Sequence, residues 1–168
     1  TNRGLLEATR AANPDAILLY KPHPDIEAGL RPGRLDGAEG LADLVLDGID
    51  AQAAMGLADR VWTMTSGLGF EALMRGLPVT TLGAPFYAGW GLCEDLTQIE
   101  GRGTSRTLPE LVYLALVKYA RTIDPVSLLP CSPEFLVTRL AEQRTDKRHL
   151  LVTAIKRHSS WLGRKLGI

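Results

Sequence analysis

Residues 60–83, RVWTMTSGLGFEALMRGLPVTTLG, constrain the fold of this chain more than any other stretch. A β-rich run at 60–65 passes through two hydroxyls and two glycines into helix-forming residues 67–76, and a second β-rich run, PVTTLG, follows at once. Upstream, AILLY at 16–20 reads as a short, wholly apolar strand of the kind buried in a parallel sheet. The helical pattern LLEATRAANPD before it must stop near Asn13-Pro14, because proline cannot continue a helix. LVL at 44–46 predicts a weak strand, and Asp50 is placed to cap a short helix over AQAAMGLA, while residues 25–42 read as a loop. Strand, helix, strand, helix, strand with short connections predicts an α/β fold, a Rossmann-like parallel sheet with helices on both faces.

Beyond residue 91 the character changes. Thr107-Leu108-Pro109-Glu110 has the spacing of a capping box and opens LPELVYLALVKYA, a helix apolar nearly all round and so expected to lie buried against the sheet. Ser132-Pro133 opens another helix, with serine as cap and proline at the first position. The expected organisation is a lobe over 1–131 followed by a basic helical segment over 132–168. Charge is unevenly spread: residues 139–168 hold eight Lys/Arg against Glu142 and Asp146, so a chain of zero net charge carries about −6 on its first 138 residues. Such asymmetry fits either an anionic neighbour, such as a membrane surface, or a solvated basic helix.

Composition excludes several classes. With 168 residues, 45% hydrophobic and 23% charged, the chain is about one ordinary globular domain. It shows no basic-then-apolar leader and no apolar run near the ~20 residues that span a bilayer, so a cytoplasmic protein is expected. Cys93 and Cys131 lack the spacing of a metal site and are expected to be free thiols. No P-loop and no Gly-x-Ser-x-Gly elbow is present, and no metal or other cofactor is expected.

Three stretches carry chemistry. In Tyr20-Lys21-Pro22-His23-Pro24, two prolines stiffen the backbone that presents a lysine and a histidine at the mouth of a strand. In Thr65-Ser66-Gly67-Leu68-Gly69-Phe70-Glu71, a strand end gives way to a helix start whose N–H groups, with Ser66, suit a single phosphate, and the glycines allow close approach. A plain N-cap with packing glycines accounts equally well for the same residues. Glu71, one turn on, suits a sugar hydroxyl as acceptor, or else a backbone N–H as in a capping box. The loop Ala84-Pro85-Phe86-Tyr87-Ala88-Gly89-Trp90-Gly91 reads as an aromatic binding loop, with Tyr87 and Trp90 as candidate sugar contacts, or as a plug over the sheet's end.

YKPHPD, TSGLGFEALMRGLPVTTLGAPFYAGWGLCED and RTLPELVYLALVKYARTIDP together resemble the capsular polysaccharide Kdo transferases of Gram-negative bacteria over roughly residues 14–131. These are retaining β-Kdo enzymes that build the linker joining the capsule to its lipid. The resemblance implies one lobe of a GT-B glycosyltransferase that binds CMP-Kdo without metal. It implies donor contacts from Lys21, His23, Pro24, Thr65, Ser66, Gly67 and Glu71, with His23-Pro24 in the nucleotide-phosphate motif. It also places the catalytic carboxylate and the lipid-linked acceptor on another lobe. Gly67 stands where a larger residue is expected. A peripheral position on the inner membrane through the 139–168 segment, with no nucleic-acid partner, follows as an expectation. A non-catalytic nucleotide-sugar-binding or assembly module of the capsule machinery is the alternative.

Overall fold

In a computed structural model the chain is described over residues 1–27, 30, 33, 35 and 38–147. Two compact units divide between Leu111 and Val112. The first opens with helix α1 (Asn2–Ala12), capped by Thr1, whose side chain accepts from the Gly4 N–H. It ends at Asn13 before the proline, as the sequence requires. Strand β1 (Leu19–Tyr20) pairs in parallel with β2 (Leu44–Val45), between them the short helix α2 (Pro24–Glu27) and a 3₁₀ turn at Ala38–Gly40. Helix α3 (Ala51–Met55) is capped by Asp50, whose carboxylate accepts from the Ala53 N–H at 2.8 Å. Strand β3 (Val61–Thr63), helix α4 (Leu68–Met74) and strand β4 (Val79–Thr81) form the crossover unit, and β5 (Glu94–Asp95) adds a third parallel strand in the order β3-β4-β5.

The fold is therefore α/β with parallel strands and flanking helices, but its strands hydrogen-bond as two groups and not as one continuous sheet. The apolar run AILLY contributes only its last two residues to a ladder. Leu18 is buried, in a core with Leu6, Ala38 and Ala42, while Ile17 is 77% exposed. A run of five apolar residues reads as a strand of five, yet pairing ends where the partner β2 ends after two.

Strand β5 has no apolar signature, and the reason lies in β4. Thr80 and Thr81 are fully buried, and buried hydroxyls need partners. Each faces an acid across the ladder: the Thr80 hydroxyl donates to Glu94 at 3.0 Å and that of Thr81 to Asp95 at 2.8 Å. Asp95 also accepts the Gly89 N–H at 2.8 Å, which fastens the loop after β4.

Helix α5 (Leu108–Val112) begins with the expected capping box, since the Glu110 carboxylate accepts the Thr107 N–H at 2.7 Å. It runs on as a π-helical segment, Tyr113–Tyr119. The expected burial of this helix is corrected: Leu111 is buried, but Tyr113, Leu114, Leu116, Val117 and, at 89%, Tyr119 are exposed. An apolar surface on every side signals a need for cover, which the described residues do not provide. In the second unit, Ser132 caps α6 (Pro133–Thr145), as expected, accepting from the Phe135 N–H. Buried Asp124 accepts from Ser127 and from Arg139 of α6. The basic segment expected over 139–168 lies outside the described residues beyond 147. Among the described residues no helix is long and apolar enough to cross a membrane.

Candidate functional site

Two loops leave the carboxyl ends of parallel strands, the position where open α/β sheets bind ligands. The first follows β1. Pro22 is buried and anchors it, and Pro24 opens α2 at the first helical position, where its missing N–H costs nothing. Lys21 points inward. Its ammonium donates to Glu27 Oε1 at 2.7 Å and to the Pro22 carbonyl at 3.1 Å, and its side chain is only 12% exposed. The same Glu27 oxygen accepts the Gly48 N–H at 3.1 Å. Lys21 and then Gly48 hold the Glu27 carboxyl below its usual range. A largely buried ammonium needs such a counter-charge, so Lys21 has a partner within the protein before any ligand arrives.

His23 is different. Its ring is about half exposed, and its Nδ1 accepts the Asp25 backbone N–H at 3.1 Å. That bond leaves the neutral ring's proton on Nε2, which is free to donate outward.

The second loop follows β3. Thr65, Ser66, Gly67 and Glu71 are all exposed. Ser66 Oγ accepts the Leu68 N–H at 3.2 Å, so its own hydroxyl proton is available to donate. Among the described residues the Ser66 and Gly67 N–H groups have no acceptor, and the Glu71 carboxylate has no partner. The capping-box geometry weighed for Glu71 is thus not formed. Gly67 has open space around it, with nothing within 4 Å of where a Cβ would stand. Gly69 serves packing and not ligand approach: a Cβ there would lie 2.2 Å from Tyr87 Oη.

The third stretch is folded inward. Tyr87 is fully buried; its hydroxyl donates to the Ser66 carbonyl at 2.5 Å, and its ring packs edge-on to Phe86 and in a stacked arrangement with Phe70. Burial pushes the phenol's pKa far above its ordinary value, so at neutral pH it is a donor. Trp90 is half buried, donates its indole N–H to the Phe86 carbonyl at 2.9 Å, and carries the Arg102 guanidinium over its ring. Arg102 in turn donates to the Pro85 and Ala88 carbonyls at 2.7 and 2.6 Å, closing the loop on itself. No sequence pattern marked Arg102, since it lies outside the loop it holds. Cys93 and Cys131 are free thiols, and burial pushes Cys93 up to about 12. Among the described residues no hydrogen bond or ion pair joins the β1 loop to the β3 loop, and no His/Cys/Asp/Glu cluster is arranged to hold a metal.

Parallel strands with flanking helices, and free polar groups at the carboxyl end of β3, define an α/β lobe open to a ligand at that end. This agrees with two solved structures from Thermosulfurimonas dismutans. The chain matches the KpsC beta Kdo 2,7 transferase at 34% identity and TM-score 0.76, over 86% of its own length and 46% of that chain. It matches the KpsC beta Kdo 2,4 transferase at 32% identity and TM-score 0.68, over 80% and 44%. The family model for capsule polysaccharide biosynthesis proteins matches residues 1–123, and the chain belongs to that family. Capsule polysaccharide modification protein LipA of Neisseria meningitidis serogroup A is 39% identical over 150 residues, 88% of this chain and 21% of LipA. Lipopolysaccharide-processing protein LpsZ of Rhizobium meliloti is 39% identical over 124 residues, 72% and 28%. The chain thus spans between about a fifth and three tenths of these curated relatives and under half of the solved ones.

Proposed function

We propose that this chain is the donor-binding lobe of a retaining β-Kdo transferase, which holds CMP-Kdo while Kdo passes to a lipid-linked acceptor bound elsewhere in the protein. One observation carries the reading: the Ser66 and Gly67 amides and the Glu71 carboxylate stand unpartnered among the described residues after β3, beside a Ser66 hydroxyl whose proton is still free to donate, in a lobe 34% identical to a beta Kdo 2,7 transferase. CMP has one phosphate and one ribose. The amides, the Ser66 hydroxyl and Thr65 take the phosphate; Glu71 accepts from the ribose hydroxyls; His23 Nε2 donates to the same phosphate. Lys21, compensated by Glu27, adds field more than a direct contact, and Pro24 fixes where His23 points. Trp90, half buried where Tyr87 is fully buried, is the sugar contact of its loop in this reading.

Transfer breaks the bond between the Kdo anomeric carbon and the phosphate, which leaves with added negative charge. Donors aimed at that oxygen lower the barrier, one such donor being worth about 3 kcal/mol. No metal is needed for this scheme, so EDTA should leave binding unchanged. The basic segment 139–168 is proposed to hold the protein at an anionic membrane surface, in which case liposome pelleting must weaken with salt. Calorimetric titration of CMP into the chain tests the donor site. Saturable binding that His23→Ala weakens with the fold intact supports it, and no heat at millimolar CMP defeats it.

A further inference from the structure

We propose that the buried Tyr87 hydroxyl is a positioning group for the nucleotide phosphate, acting through the Ser66–Gly67 peptide. The proposal rests on the donor-site reading above. Tyr87 is 0% exposed and cannot touch a ligand itself. Its hydroxyl donates to the Ser66 carbonyl at 2.5 Å, and the Gly69 N–H donates to the same oxygen at 3.2 Å. Two donors therefore hold that carbonyl toward the protein interior. A trans peptide is planar, with its C=O and the following N–H pointing in opposite directions. Fixing the Ser66 carbonyl inward turns the Gly67 N–H the other way, where it has no acceptor among the described residues, at an exposed residue with nothing within 4 Å of where its Cβ would stand. Rotating this one peptide would hide the amide and expose the carbonyl, whose partial negative charge repels a phosphate.

The surroundings are built around the tyrosine. Phe86 meets its ring edge-on at 5.3 Å between centroids, and Phe70 stacks at 6.3 Å. Position 69, inside α4, is glycine although alanine is the better helix former. With a Cβ at 2.2 Å from Oη, 2.7 Å from Cζ and 2.9 Å from Cε2, any larger residue would displace the ring. Asp95 joins the arrangement from the other side, binding the Thr81 hydroxyl and the Gly89 N–H two residues past Tyr87.

Tyr87→Phe keeps the ring and deletes the hydroxyl, and the decisive readout is the ratio of CMP to cytidine affinity, measured by calorimetry on the 168-residue chain. Wild type should bind CMP more tightly than cytidine. The variant, shown to be folded by circular dichroism, should lose about tenfold in CMP affinity, as for one partly lost hydrogen bond to a charged group, with cytidine affinity unchanged. A variant that keeps the wild-type ratio, or that loses CMP and cytidine binding equally, overturns the positioning role and leaves the donor site standing. A wild-type chain that binds neither ligand overturns the donor site and this role with it. A second measurement needs no ligand: the Gly67 amide resonance should shift in Tyr87→Phe, and an unmoved resonance overturns the proposal.

Discussion

Gly69→Ala is the substitution on which intrinsic preference and packing disagree most sharply. Position 69 lies inside α4, with ordinary right-handed helical neighbours. In an open helix the exchange would stabilise by up to about 1 kcal/mol. Here the new methyl would stand 2.2 Å from Tyr87 Oη and under 3.0 Å from two of its ring carbons. The ring has nowhere to move, being fully buried between Phe70 and Phe86. Overpacking of this kind costs about 1–3 kcal/mol, and the displaced hydroxyl gives up its bond to Ser66, worth about 1 kcal/mol more. Setting the helix gain against these losses leaves a net destabilisation of about 1–3 kcal/mol. Urea unfolding measures it as a lowered midpoint at constant slope. The test sharpens in a Tyr87→Leu background, where the clash is gone and Gly69→Ala should become neutral or stabilising, a coupling of at least about 1 kcal/mol. A Gly69→Ala variant as stable as wild type, or equally destabilising in both backgrounds, would refute the reasoning.

Asp95→Asn should destabilise by about 1 kcal/mol in urea, because the amide oxygen can keep the Gly89 N–H but the Thr81 hydroxyl then meets an NH₂ and loses the charged acceptor to which it donates; Asp95→Glu should not restore it, and an unchanged midpoint in Asp95→Asn would contradict the arrangement. For Glu27, whose carboxyl is held below its ordinary 4.5 by Lys21 and then Gly48, the sign is that of any depressed acid. Its contribution is fully present above the ordinary value and is lost as pH falls through the depressed one. Unfolding midpoints taken from pH 7 downward should therefore converge for wild type and Glu27→Gln in acid, and parallel curves would contradict the pairing.

Much of the fold was legible because its signals were local. Asn13-Pro14, Asp50, the Thr107–Glu110 capping box and Ser132-Pro133 all mark helix ends where the structure has them. Strand extent was not local. AILLY promised five strand residues, but the two-residue β2 decides how many can pair. Strand β5 was invisible because its residues, Glu94 and Asp95, were selected by the buried threonines opposite and not by strand preference. The exposed helix surface at 113–119 shows the limit of periodicity, which reports that an apolar face wants cover and not what supplies it.

The candidate site divides in the same way. Ser66 and Glu71 could be read from residue type and spacing, and both side chains are exposed. The orientation of Lys21 toward Glu27 could not, since Glu27 sits in a stretch with no clear pattern. Tyr87 was legible as an aromatic in a glycine-rich loop, yet nothing in APFYAGWG says that Tyr87 turns inward while Phe86 stays exposed. That choice is made by Gly69, eighteen residues earlier, which leaves the space the ring fills.

The central claim is that one CMP phosphate is held between the His23 loop and the Ser66–Gly67 peptide. Titrating CMP into the isotope-labelled chain and following backbone amide and histidine ring resonances tests it most directly. The account predicts saturable shifts that are largest at His23, Ser66, Gly67 and Glu71, with cytidine moving Glu71 but sparing Gly67. Shifts concentrated elsewhere, or none at millimolar CMP, would contradict it.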